Sequence, residues 1–140
     1  MSLYLLDTCV LSELVKREVD AGVTSWLSAQ PDAALRVSVI SLGELERGVQ
    51  RLQEGKRKTQ LAQWLTGIHD AYEDRILDVR PAVAREWGRL MAAAEASGAK
   101  LPVMDAWIAA TARVHGCFVA TRNVADMTRT GTMVHNPWAA

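Results

Sequence analysis

The chain has 140 residues, enough to bury a core without disulfide or metal staples. Its apolar fraction of 49% and charged fraction of 23% are ordinary globular values. Sixteen basic side chains balance sixteen acidic ones, which excludes a strongly cationic coat for nucleic acid; a nucleic-acid enzyme remains open, because metal ions or a local patch can supply the positive field.

The run Leu3-Tyr4-Leu5-Leu6 is short and apolar, as expected of a parallel strand buried on both faces. Thr8 is placed to cap a helix carrying Val10, Leu11, Leu14 and Val15, and a second short helix over Val19–Ala29 ends before Pro31. Leu35 to Val39 reads as strand two. Ser41-x-x-Glu44 has the form of a capping box, with Leu45, Val49 and Leu52 on one helical face after it. Lys56 to Tyr72 is a longer amphipathic helix with Leu61, Trp64, Leu65 and Ile68 inside, and Arg75 to Val79 is the third strand. Pro81 opens a helix at its favoured first position and Gly98 closes it. A further helix over Val103–Val114 is closed by Gly116; Phe118–Thr121 forms strand four and Thr132–His135 a short fifth strand. Strands alternating with helices predict an α/β layered fold with a mainly parallel sheet, and no repeat or linker divides residues 1–140, so one domain is expected.

The two cysteines, Cys9 and Cys117, form no CxxC pair and read as small buried hydrophobes in a reducing compartment. With no signal-like start and no apolar run long enough to span a bilayer, a soluble cytoplasmic protein with no membrane partner is expected.

Four acids fall where elements begin or end. Asp7 closes strand one, and in open parallel sheets ligands bind outside the carboxyl ends of strands; a turn or cap aspartate is the plain alternative. Glu44 alone is explained well as the capping-box glutamate. Asp105 resists such a reading, because Ile108, Ala109 and Ala112 at helical spacing place it on an apolar, sheet-facing stripe. A carboxylate seldom occupies that position unless paired or bound to metal. Asp126 belongs to a polar cluster with Thr121 and Asn123 directly after strand four, at the same sheet edge as Asp7, and Arg122 beside it could touch a phosphate. Converging carboxylates repel and call for a counter-charge, usually a hard divalent cation.

Other chemistries lack their residues. His69, His115 and His135 have no metal-ligand spacing, and no phosphate-binding glycine loop or serine elbow occurs. Trp26, Trp64, Trp87 and Trp107 read as core or oligomer-interface residues, and Lys56-Arg57-Lys58 as a solvated helix start.

In order and spacing, Tyr4-Leu5-Leu6-Asp7-Thr8, then Ser38 to Leu45, then Asp105 to Ala112, then Thr121-Arg122-Asn123-Val124-Ala125-Asp126, resemble the four motifs of PIN-domain proteins. The end Asn136-Pro137-Trp138 resembles the VapC/FitB-like branch, and Met127 departs from the phenylalanine common there, implying altered packing. The resemblance implies a three-layer α/β/α sandwich with a five-stranded sheet ordered 3-2-1-4-5. It also implies a toxin of a type II toxin–antitoxin system, acting as a Mg²⁺- or Mn²⁺-dependent endoribonuclease on RNA. Carried over by position, Asp7, Glu44, Asp105 and Asp126 are the catalytic, metal-binding acids, and Thr8, Thr121 and Asn123 support them. A small VapB-like antitoxin, operator DNA reached only through that antitoxin, and a homodimer follow from the same resemblance. The competing reading is an antitoxin-bound, mainly regulatory or non-catalytic PIN domain whose acids are structural caps.

Overall fold

The structure, a computed structural model, describes residues 1–138. Five strands, β1 (Tyr4–Leu6), β2 (Leu35–Ser38), β3 (Ile76–Leu77), β4 (Phe118–Ala120) and β5 (Val134–His135), form one sheet in the order β3-β2-β1-β4-β5. Every adjacent pair is parallel, with Leu6 opposite Ala120 and Leu5 opposite both Arg36 and Val119. Parallel neighbours need crossovers, and among the described residues seven α-helices provide the cover: α1 (Thr8–Glu13), α2 (Ala21–Ala29), α3 (Val39–Gln50), α4 (Lys56–Ala71), α5 (Pro81–Ser97), α6 (Val103–His115) and α7 (Val124–Arg129).

The central strand explains the layering. Successive strand side chains point to opposite faces, so Leu6 packs with Val10, Leu11, Val23, Val37 and Leu45 on one side. Leu5 packs with Ile108, Ala109, Ala112, Val119 and Met127 on the other. Both leucines are fully buried, as a two-sided strand requires. The result is the three-layer α/β/α sandwich with sheet order 3-2-1-4-5. Gly98 and Gly116 stop α5 and α6 in left-handed conformations at φ 73° and 66°, where a side chain would be strained. Among the described residues no helix is long and apolar enough to cross a membrane.

Several local expectations shift. Asp7, rather than Thr8, occupies the N-cap of α1 and accepts from the Thr8 backbone N–H. The helix α3 starts one turn earlier than the capping-box pattern implies, with Ser38 as its N-cap accepting from Ile40 N–H at 3.0 Å. Ser41 is therefore buried inside the helix, and Glu44 has no capping role. Trp26 and Trp64 are only partly buried against the first core cluster, and Trp87 stacks on Trp107 with ring centroids 4.6 Å apart. Met127 is fully buried, a packing residue as expected.

Candidate active site

In the order β3-β2-β1-β4-β5, the chain reverses its direction of growth between β1 and β4, and the crevice at such a switch point lies at the carboxyl ends of the strands. The Asp7 backbone N–H donates to Ala120 O at 3.0 Å and fixes the first residue of that crevice. Asp7 Oδ1 accepts from Thr8 N–H at 2.8 Å, and Oδ2 accepts from Thr121 Oγ1 at 2.8 Å. Cys9 Sγ lies 3.8 Å from the same Oδ2. Burial nevertheless outweighs these bonds and pushes the Asp7 carboxyl above the usual carboxylate range.

Thr121 joins strand β4 to the site. It is fully buried, its backbone N–H donates to His135 O at 3.0 Å, and its hydroxyl oxygen accepts from Asn123 N–H at 2.9 Å. Asn123 precedes α7 but caps nothing with its side chain; its amide donates to Asp105 Oδ2 at 2.8 Å. Asp7, Thr121, Asn123 and Asp105 thus form a continuous hydrogen-bonded chain from β1 across the β4 loop to α6.

Asp105 stands on the stripe its spacing indicated, with Ile108, Ala109 and Ala112 fully buried in the core beneath it. Its carboxyl is pushed up to about 6, first by burial and then by the charges of Asp7, Asp126 and Glu44, against the opposing bond from Asn123. Glu44 enters from the second turn of α3, where its Oε1 accepts from Thr8 Oγ1 at 2.7 Å, with Ser41 Oγ 3.1 Å from the same hydroxyl. Thr8 has one hydroxyl hydrogen and gives it to the carboxylate, leaving Ser41 to supply the second contact.

Asp7, Thr8, Cys9, Glu44, Asp105, Arg122 and Asn123 line one open cavity of about 470 Å³. Asp126 is placed differently: its Oδ1 lies 3.3 Å from Arg129 Nη2 and it faces a neighbouring cavity with Arg129 and Thr130, although its charge reaches Asp105. Two residues at the site escaped sequence reasoning, Ser41 and Cys9. Ser41 carried the signal of a cap, and Cys9 that of a core residue, so neither pointed to the cleft.

Among the described residues no group of three His, Cys, Asp or Glu side chains is placed to hold a metal ion, and Asp7, Glu44 and Asp105 have no Lys or Arg partner. Asp7, Glu44 and Asp105 therefore leave one cavity with negative charge that no Lys or Arg pairs, and the Asp105 carboxyl is raised first by burial and then by that charge. The polar atoms around it are oxygens of carboxylates and hydroxyls and the Asn123 amide, with the Cys9 thiol beside Asp7.

The family model for the PIN domain matches residues 4–131. The chain belongs to the PIN-domain family. This PIN domain is 38% identical over 137 residues to the VapC ribonuclease Y4jK of Sinorhizobium fredii, covering 97% of this chain and 98% of that relative. The crystal structure of FitAcB from Neisseria gonorrhoeae superposes on it with a TM-score of 0.93 at 32% identity, over 99% of this chain and 100% of that one. The structure of FitAB bound to a DNA fragment gives 0.92 at 31% identity, over 99% of this chain and 97% of that one. The matched residues include strands β1 to β4 and all four acidic positions.

Proposed function

We propose that this chain is a metal-dependent endoribonuclease toxin that hydrolyses phosphodiester bonds in RNA and is silenced by a cognate antitoxin. The observation that carries the reading is the hydrogen-bonded chain Asp7–Thr121–Asn123–Asp105 facing Glu44 across one cavity. The name of the relative Y4jK supports ribonuclease chemistry, and the pairing of neighbours in FitA–FitB complexes, one on DNA, supports an antitoxin partner.

In this reading Asp7, Glu44 and Asp105 hold one or two Mg²⁺ or Mn²⁺ ions, and Asp126 contributes from the rim. When bound, such an ion acidifies a water nucleophile and neutralises charge building on the phosphate oxygens. The protein's own task is orientation. Thr121 fixes the Asp7 carboxylate, Asn123 fixes that of Asp105, and Thr8 fixes that of Glu44. Arg122, at the cavity rim, contacts a phosphate of the substrate. The antitoxin supplies an Arg or Lys to the carboxylates in place of the cation and carries the operator-DNA contact itself. A homodimer in the cytoplasm completes the proposal.

The cap reading of the acids accounts for little. Asp7 Oδ1 caps α1, but Asp7 Oδ2, Glu44 and Asp105 cap no helix. The test is RNA cleavage with Mn²⁺ or Mg²⁺ by the free chain and by Asp7→Asn and Asp105→Asn. Each variant is expected to lose cleavage by roughly a hundredfold or more, a drop of about 3 kcal/mol in transition-state stabilisation, with an unchanged circular-dichroism spectrum. Cleavage at full rate by both variants would overturn the assignment.

A further inference from the structure

Arg122 leaves the sheet between Thr121 and Asn123, so its backbone is fixed by the same hydrogen bonds that build the site. Among the described residues its guanidinium has no hydrogen bond and no ion pair. It lies instead 4.6 Å from the ring centroid of Trp138 while lining the acidic cavity.

Trp138 is well anchored. Its backbone N–H donates to Asn136 Oδ1 at 3.0 Å, and Pro137 before it is buried. The indole packs against the core cluster that holds Leu6, Val10 and Val23. The same segment presses on α2, where a Cβ added to Gly22 would stand 2.9 Å from Pro137 O. The segment Asn136–Trp138 is thus docked over the first helical layer, and it brings an aromatic face to Arg122, the one cation among the described residues that line the acidic cavity.

We infer that Trp138 is a positioning residue that holds the Arg122 guanidinium over the cavity rim, ready for a backbone phosphate of single-stranded RNA. Stacking on an aromatic face restrains the guanidinium plane and leaves its edge N–H groups free for a two-pronged phosphate contact. An unrestrained arginine at an exposed rim would have to be ordered at each binding event, so the indole acts on substrate binding rather than on the chemical step. The inference rests on the ribonuclease reading above.

The test is steady-state RNA cleavage by the full chain with Mn²⁺, comparing Trp138→Phe, Trp138→Leu, Arg122→Ala and the Trp138→Leu/Arg122→Ala pair. Phe and Leu both keep an apolar packing residue, and only Phe keeps a π face. Trp138→Leu is expected to raise KM about five- to tenfold with kcat within twofold, Trp138→Phe to stay within about twofold of the parent, and the pair to match Arg122→Ala alone. Equal behaviour of Leu and Phe, additive losses in the pair, or an effect confined to kcat overturns the inference and leaves the nuclease reading intact. A parent chain that cleaves no RNA with either Mn²⁺ or Mg²⁺ overturns both.

Discussion

The carboxyl of Asp105, pushed up to about 6 in a half-buried position, weakens the fold as well as shaping the site. Its folded value lies above the usual 3.8, so the native state binds that proton more tightly than the unfolded chain does. The stability it contributes is present in full below about pH 4 and is lost as the pH rises through about 6. Asp7, also raised by burial, acts in the same direction. Asp105→Asn removes the charge and keeps an acceptor for Asn123. In the metal-free protein at pH 7 it should gain about 1 kcal/mol, a figure discounted from the full shift because water screens a half-exposed group. That corresponds to a Tm increase of roughly 2–8 °C. Calorimetry from pH 4 to 8 would show the parent losing Tm relative to the variant as pH rises; parallel curves would contradict the argument. Adding Mn²⁺ should reverse the ranking, because an ion that binds only the folded parent stabilises it by mass action.

At the level of elements, α3 separates what sequence can and cannot resolve. Ser38 and Ser41 are both good caps and lie three residues apart, so local propensity allows either start. Tertiary packing decides for Ser38: beginning the helix there buries Ser41, Leu45 and Val49 and brings Glu44 to Thr8. Ser38→Ala is therefore expected to cost about 1 kcal/mol in urea unfolding, and Ser41→Ala, which caps nothing, distinctly less. The reverse ranking would restore the later start. The long helices were legible because Pro81, Gly98 and Gly116 punctuate them chemically. The shortened ends of β2 and β3 were not, since which residues pair depends on the neighbouring strand.

Across the whole molecule, alternation of strands and helices led to the layered sheet, and the placement of Asp7 at a strand end and Asp105 on an apolar stripe led to the cleft. Asp126 shows where such reasoning stops. Its position after β4 is correct, but two partners compete for its charge: the acidic cavity and Arg129 one turn further along α7. Spacing alone cannot weigh a through-space neighbour against an i,i+3 ion pair. Arg129→Ala releases Asp126 and should tighten Mn²⁺ binding by up to about fivefold, the scale of an exposed ion pair. Asp126→Asn should weaken Mn²⁺ binding less than Asp105→Asn does. Isothermal titration with Mn²⁺ measures both, and a larger loss at position 126 than at 105 would place Asp126 at the centre of the site.

The bond between Thr121 and Asp7 spans 114 positions, and the Asn123–Asp105 bond needs a residue that follows β4 in the sequence. A chain emerging from synthesis therefore carries Asp7 and Glu44 long before it possesses the residues that orient Asp7 and Asp105. The first half of the chain cannot assemble the cleft alone, because the strand that flanks β1 on that side is among the last to appear. The carboxylates made first thus stand unoriented until residues 118–123 follow, and the cleft exists as a unit only from that point in synthesis.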